Sequence, residues 1–304
     1  MYVLVSRALI LGRGVIRPND RLETITCDLK QNQITSRDNS LLRHARAVRD
    51  GKNSSLIFVE GLRLCEEAAA SKLGIEAVIY SEQIARKERA AAFLDSLKHT
   101  EAKLASVTES LLKSISFTQT PQGIVMLASR PEFDAIAFQL AQPENPLLVV
   151  MHGVNNPVNV GAIVRTAEAA GSTGVITTRG TADPFSPKAL RGAMGSAFRL
   201  PIWSGADFAD VIGWCRERKI HRLCADVAGS RLYTEIDLRP ASAIVVGPES
   251  TGLALEEIAA ADEVVRIPMK PPTESLNVAV ATGILLFEAN RQRNLIRLDL
   301  STQN

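Results

Sequence analysis

The 304-residue sequence is poor in cysteine, in unbalanced charge and in long apolar runs. Cys27, Cys65, Cys215 and Cys224 are scattered with no CxxC pair, which excludes a disulfide framework and fits buried free thiols in a reducing cytoplasm. Cys215, His221 and Cys224 are too loosely spaced to hold zinc without a further ligand, so no metal is expected. With 35 Lys and Arg against 33 Asp and Glu, the net charge is only +2. A nucleic-acid partner therefore needs cations gathered in one place. No apolar run approaches the ~18 residues of a membrane span. Met1 to Val15 is fairly apolar, but Arg7 and Arg13 interrupt it and no small-residue cleavage site follows, so it does not read as a signal peptide. There is no GxxxxGK, and Gly12-Arg13-Gly14 lacks the third glycine of a dinucleotide fingerprint. No histidine shares a motif with a serine or cysteine nucleophile and an orienting acid; His152 is expected to be structural.

What is present is an alternation of short apolar runs with amphipathic stretches. From 35 to 127 it reads as one α/β unit, with caps at Thr35 to Asn39 for a helix through Arg49. Strands follow at Ser55 to Val59, Ala77 to Tyr80, Leu104 to Val107 and Gly123 to Leu127, with helices between them. That pattern predicts a mainly parallel, covered sheet. Arg43, Arg46 and Arg49 recur every three residues, which places them on one helical face, with Arg37 and Lys52 near its ends. The row reads either as a solvated face or as a phosphate-contacting stripe, the local patch a balanced protein would need. Residues 128–146 hold three prolines within Arg130 to Pro146 and few strand signals, and are expected to be a linker. Residues 1–34 form an extension, read as an added strand or a poorly ordered segment.

A second alternation fills 147–304. Strands are expected at Leu147 to Met151, Gly174 to Thr178, Arg199 to Trp203, His221 to Asp226, Ala243 to Gly247 and Glu263 to Ile267. The pattern predicts a parallel sheet covered on both faces, and ligands of such sheets sit at the carboxyl ends of strands. The loops at 152–158, 247–252 and 268–274 belong there. In the first, Asn155, Asn156 and Pro157 build a turn and Asn159 opens a helix as its expected cap. Arg165 is the only charge from Met151 to Ala167, so its helix is expected to be largely buried, and a buried guanidinium must be paired or used. In the second, Gly247 lets a ligand approach the backbone, Gly252 permits a turn, and Glu249 reads either as a functional acid or as a partner for the helix beginning near Leu255. In the third, Pro271 and Pro272 hold an extended loop, and Thr273 or Ser275 can cap a closing helix, Ser275 to Arg293, that is apolar nearly all round as far as Phe287.

Three of these segments resemble the signatures of the SpoU-type (TrmH-like) RNA 2′-O-ribose methyltransferases of the SPOUT class. They are VVMHGVNNPVNVGAIVRTAEAAG, AIVVGPESTGL and the run IPM, five residues, SLNVAVATGILLFEANRQR. Pro187 to Pro201 looks family-like as well. In the first half, Phe58-Val59-Glu60-Gly61 and Thr120 to Val125 resemble the L30e-like substrate-binding domain found in many members. The prolines after IPM replace a more flexible, often glycine-containing loop.

The resemblance implies an α/β chain: an L30e-like RNA-binding domain over 35–127, then a trefoil-knot methyltransferase domain over 147–304 that pairs with a second copy of itself. It implies S-adenosyl-L-methionine as cofactor, near Gly247, Ile267 and Leu276, and the ribose 2′-hydroxyl of a nucleotide in rRNA or tRNA, with rRNA favoured, as acceptor. Arg165 is expected to orient ribose or phosphate, with Asn159, Glu249, Ser275 and Asn277 completing the pocket. Arg37, Arg43, Arg46 and Arg49 are expected to contact RNA. A cytoplasmic homodimer with no membrane attachment follows from this reading. A catalytically silent RNA-binding protein and a knotted base methyltransferase are the alternatives.

Overall fold

The computed structural model describes residues 33–301, with side chains as far as Asn294. The expectations for residues 1–32 lie outside that range. Two sheets organise the chain. The first contains β1 (Gln33–Ile34), β2 (Leu56–Glu60), β3 (Ile75–Ser81), β4 (Lys103–Val107) and β5 (Ile124–Ser129), in the order β1-β4-β3-β5-β2. The sheet thus begins two residues before the expected boundary at 35, because Gln33–Ile34 pairs with Ser106–Val107. Nor is it uniformly parallel. β5 runs antiparallel to both β2 and β3, so the expectation of a mainly parallel sheet is corrected at that strand. No crossover helix precedes β5; the chain returns through the loop after the helix Glu109–Ile115 and enters from the opposite end.

The second sheet comprises β6 (Leu147–Met151), β7 (Gly174–Thr178), β8 (Ile202–Ala206), β9 (His221–Ala225), β10 (Arg231–Leu232), β11 (Ser242–Val246) and β12 (Glu263–Arg266). Its order is β10-β12-β9-β11-β6-β7-β8 and every pairing is parallel. β6 and β11 are buried along their whole length, as unbroken apolar runs in a doubly covered sheet must be. From β6 the chain goes one way to β7 and β8, then returns to build the other side of the sheet from β9. The loops leaving β6 and β11 therefore diverge, and the gap between them is where an open α/β sheet binds ligand.

Two segments differ from the sequence reading. Arg199 ends a helical turn, Ser196–Arg199, and the strand begins only at Ile202. The expected linker is also packed against the second sheet. Its helix Ala135–Leu140 buries Phe138 completely, with ring centroids 6.1 Å from Trp203 and 6.0 Å from Trp214. An aromatic trio of this kind is a hydrophobic anchor, so 135–140 is part of the second unit.

The two units share an apolar cluster that runs from Ile57 and Val59 of β2 to Leu190 and Ala193 of the helix Pro187–Ala193. Around it Arg130 forks onto both carboxylate oxygens of Asp183, at 2.9 and 2.7 Å. Arg199 joins Glu67 of the first unit to Glu168 of the second.

Candidate active site

The helix Pro157–Ala169 opens on a proline whose fixed φ suits the first helical position. Its cap is Asn156, whose Oδ1 accepts from Val158 N at 3.0 Å. Asn159 is therefore not the cap. It lies one turn further in, buried, on the face turned toward the loop after β11. Gly161 lies on this helix too. A Cβ there would stand 2.2 Å from Ala189 O and 3.0 Å from Gly192 Cα, so Gly161 and Gly192 let the two helices touch backbone to backbone. That contact gives a physical reason for Gly192 in Pro187 to Pro201.

Glu249, on the loop after β11, accepts from Asn155 N and Asn156 N at 3.3 Å each, and from Asn159 Nδ2 at 2.9 Å. It thus serves the start of the helix Pro157–Ala169, while the helix Leu255–Ile258 is capped by Glu257, which accepts from Ala254 N at 2.7 Å. Asn159 Oδ1 accepts from Asn277 Nδ2 at 3.1 Å. Asn277 Oδ1 in turn accepts from Ala279 N at 2.9 Å, which makes Asn277 the cap of the last helix, Val278–Ser301. Thr273 and Ser275 lie before that cap. The sense of the chain is set at both ends: a carboxylate only accepts, and backbone N–H groups only donate. Both asparagine amides are held in one orientation, and three loops are tied together. Burial pushes the Glu249 carboxyl up, but the hydrogen bonds from Asn159 and the backbone outweigh it and hold the group below the ordinary carboxylate range.

A cleft of about 680 Å³ opens beside this chain, within the usual size for a small-molecule site. Gly247, Ile267, Leu276, Ser275, Asn277, Asn159 and Glu249 all line it. Gly247 serves it indirectly. A Cβ there would meet Leu253 N at 2.9 Å, so its bareness lets the loop fold back on itself. Gly252, with φ +66°, makes the turn that closes the loop. The cleft also includes Asp226 and Val227, from the loop after β9, which sequence reasoning missed. An acid just past a strand's carboxyl end was the available signal.

Arg165 departs from expectation. It is exposed, has no polar partner among the described residues, and is not part of the cleft lining. The reading of a buried, committed guanidinium is corrected: position 165 falls at the flank of the packed face, beside buried Val164. The closing helix is not buried all round either, since Val280 and Phe287 are about half exposed. His152 is structural in its contacts. It bridges Thr178 Oγ1 at 2.8 Å and Glu257 Oε1 at 2.7 Å.

The arginine row on the helix Ser40–Arg49 divides. Arg43 is exposed, Arg46 Nη2 donates to Arg37 O at 3.0 Å, and Arg49 turns inward to the carbonyls of Ser114, Ile115 and Ser116. A three-residue step advances about 300°, so successive members drift around the helix instead of sharing a face. Cys65, Cys215 and Cys224 are free and buried. Burial pushes the Cys215 thiol up to about 12 and the Cys224 thiol to about 11. Among the described residues there is no cluster that would hold a metal, and no helix is long and apolar enough to cross a membrane.

A parallel sheet whose strand ends bear a polar-rimmed cleft defines an α/β enzyme domain of the nucleotide-cofactor type. The comparisons with known proteins make this specific. Residues 146–287 match the SpoU rRNA Methylase family, and residues 42–126 match the MRM3-like substrate binding domain. The chain is 32% identical to the 23S rRNA (guanosine-2′-O-)-methyltransferase RlmB of Bordetella pertussis, over 71% of this chain and 89% of that one. The AdoMet-bound rRNA methyltransferase of Sinorhizobium meliloti superposes with a TM-score of 0.74 at 31% identity, covering 85% of this chain and 97% of the other. The SpoU methyltransferase AviRb of Streptomyces viridochromogenes, also in complex with AdoMet, gives 0.76 at 25% identity, covering 84% and 98%. The chain belongs to the SpoU methylase family of the SPOUT class, and is an S-adenosylmethionine-dependent RNA 2′-O-ribose methyltransferase.

The residues fit that cofactor. Exposed Val227 and Leu276 offer apolar surface in the cleft, and Asp226 and Ser275 offer polar groups to a nucleoside.

Proposed function

We propose that this chain methylates the ribose 2′-hydroxyl of a nucleotide in ribosomal RNA, in the cytoplasm, as a homodimer. The observation that carries the reading is the Glu249–Asn159–Asn277 chain, which fastens the three signature loops around one cleft. The names of the relatives support ribosomal over transfer RNA, and the free buried thiols support a reducing compartment.

S-adenosylmethionine supplies an electrophilic methyl group on a sulfonium. Gly247, Ile267 and Leu276 would hold it against the loop backbones. A ribose hydroxyl is a weak nucleophile and needs orientation and a path for its proton. A guanidinium has hydrogen-bond donors and no acceptor, so in this reading Arg165 orients ribose or phosphate. Asn159, Glu249, Ser275 and Asn277 position the acceptor. Arg37, Arg43 and Arg46 supply phosphate contacts from the first unit, and Arg49 holds the structure beneath them.

Dimerisation is supported by apolar surface that one copy leaves uncovered: Val158 on the helix that carries Arg165, and Val280 and Phe287 seven residues apart on the closing helix. Arg165 then serves either at the rim of its own cleft or across the two-fold axis. The test is methyl mapping of ribosomal RNA from cells with and without the protein, beside light scattering of the pure chain. Loss of a single 2′-O-methyl mark from ribosomal RNA is the expected result. An unchanged methylation pattern, or full activity from a monomer, would sink the corresponding part.

A further inference from the structure

Glu60 is a buried carboxylate, 6% exposed, far in sequence from the cleft loops. A buried charge is costly unless it is hydrogen-bonded, and Glu60 spends its oxygens on one surface loop. Oε2 accepts from Phe117 N at 2.9 Å and from Thr118 N at 3.2 Å, and Oε1 accepts from the Thr118 hydroxyl. From the other side Arg49 Nη1 donates to Ile115 O at 3.1 Å and Ser116 O at 3.3 Å. The main chain at 115–118 is thus clamped between a buried anion and a cation.

The side chain held there is apolar and turned outward. Among the described residues of the first unit, Phe117 is the large apolar side chain that stands exposed, at 44%. Such a residue alone would mean little, since scattered exposed apolar groups are ordinary. Its surroundings separate it from that case. Lys113 and Lys52 are exposed and have no polar partner among the described residues. Lys113 lies four residues before Phe117. Lys52 lies three residues after Arg49, and exposed Asp50 is hydrogen-bonded by Arg49 and feels the charges of Lys52 and Arg46 as well, so its carboxyl is held below the ordinary range. An exposed aromatic ring on a fastened main chain, with exposed lysines on or just after the two helices that Arg49 joins, suits single-stranded nucleic acid: the ring stacks on a base and the cations meet its phosphates.

We propose that Phe117, presented by the Glu60 and Arg49 clamp, is a stacking platform for an unpaired base of the RNA substrate, with Lys52 and Lys113 on the flanking phosphates. The proposal rests on the reading of the chain as an RNA methyltransferase and deepens it by naming a recognition element outside the cleft. It asks for an unpaired nucleotide and needs no particular base, because every base has a π-face.

The test uses the full chain and ribosomal RNA stripped of protein from cells lacking the enzyme. Phe117→Ala should bind that RNA about tenfold more weakly, with unchanged melting and unchanged S-adenosylmethionine affinity by calorimetry. Phe117→Trp should restore RNA binding. The fluorescence that this second variant adds should be quenched by a short single-stranded oligoadenylate and much less by a blunt duplex of equal length. Equal RNA affinity for Phe117→Ala and wild type, or an added Phe117→Trp signal indifferent to the single strand, overturns the proposal while wild-type methyl transfer leaves the enzymatic reading standing. If the wild-type chain transfers no methyl to any RNA, the enzymatic reading falls and the proposal falls with it.

Discussion

The two sheets of this chain contain similar apolar strands but end in different kinds of surface. In the second sheet every pairing is parallel, so all the loops that leave strands emerge at one end, and a reversal of strand order parts two of them into a cleft. In the first sheet β5 enters from the other end, so the last loop, 116–123, lies among the strand exits and fills the edge. That edge offers a surface with Glu60 fastening it from below. Strand direction thus separates a unit suited to enclosing a small cofactor from one suited to lying against a polymer. Changes at the cleft should reach turnover or cofactor affinity, and changes in the first unit should reach RNA affinity.

The sharpest break would come at Arg165. Replacement by alanine should cut methyl transfer about a hundredfold or more, with cofactor affinity nearly intact, because the cofactor contacts proposed above lie on other loops. Arg165→Lys should also fail badly, since it keeps the charge and loses the planar fork. Cofactor calorimetry beside a single-turnover assay separates the two quantities. Near-normal transfer by Arg165→Ala would remove the residue from the chemistry, and its exposure would then be only that of a surface arginine.

Glu249 tests the cleft side through its fastening role. Glu249→Ala leaves the N–H groups of Asn155 and Asn156 without their acceptor, and the loop after β11 loses its tie to the helix Pro157–Ala169. Cofactor affinity should drop about tenfold, the weight of a lost charge-assisted hydrogen bond. The folded carboxyl is held low, so its contribution is present above the unfolded value and is lost as pH falls through the folded one. Cofactor affinity measured downward from neutrality should therefore stay flat to the ordinary carboxylate range and weaken only below it. A midpoint near pH 6 would mean that some other group controls the loop.

Gly161 probes packing. Its missing Cβ sits where Ala189 O would be 2.2 Å away, with backbone on the other side and no flexible side chain to yield. Gly161→Ala should destabilise the second unit by about 1–3 kcal/mol, the usual cost of overpacking. The first unit's RNA binding should be little changed. Denaturant melts of the full chain followed at Trp203 and Trp214 report the unit concerned. An unaltered midpoint would show that the helices have room to part.

These residues also show what could be read from the sequence. β6 and β11 were legible because buried parallel strands are unbroken apolar runs, while the short edge strand β10 was missed, and seven of the eight residues expected in the cleft or its chemistry do line it. Arg165 was misread because burial was inferred from the helix as a whole, and one flank position of a helix can be exposed while its neighbours are buried. The caps were assigned to the wrong asparagine and serine because several candidates stand within three residues, and only backbone geometry selects among Asn156, Asn159, Ser275 and Asn277. The direction of β5 was not legible at all, since a strand's residues do not record which end the chain enters.

The smallest effect expected separates Arg43 from Arg49, which equal spacing in sequence had made equivalent. Arg43 is exposed and uncommitted, so if it meets a phosphate its replacement by alanine should remove one released counterion. The slope of log affinity against log salt would then fall by about 0.7 to 0.9, with no change in melting. Arg49 holds three carbonyls at the end of the helix Glu109–Ile115, so Arg49→Ala should lower stability by about 1–2 kcal/mol and leave the slope nearly unchanged. Any loss of RNA affinity from Arg49→Ala should come through the loosened loop at 116–118, and should therefore be as large at high salt as at low. Titrations of stripped ribosomal RNA at several salt concentrations distinguish the two cases. If both variants flatten the slope equally, the arginines act as one phosphate-contacting stripe after all, and the inward turn of Arg49 has no bearing on RNA binding.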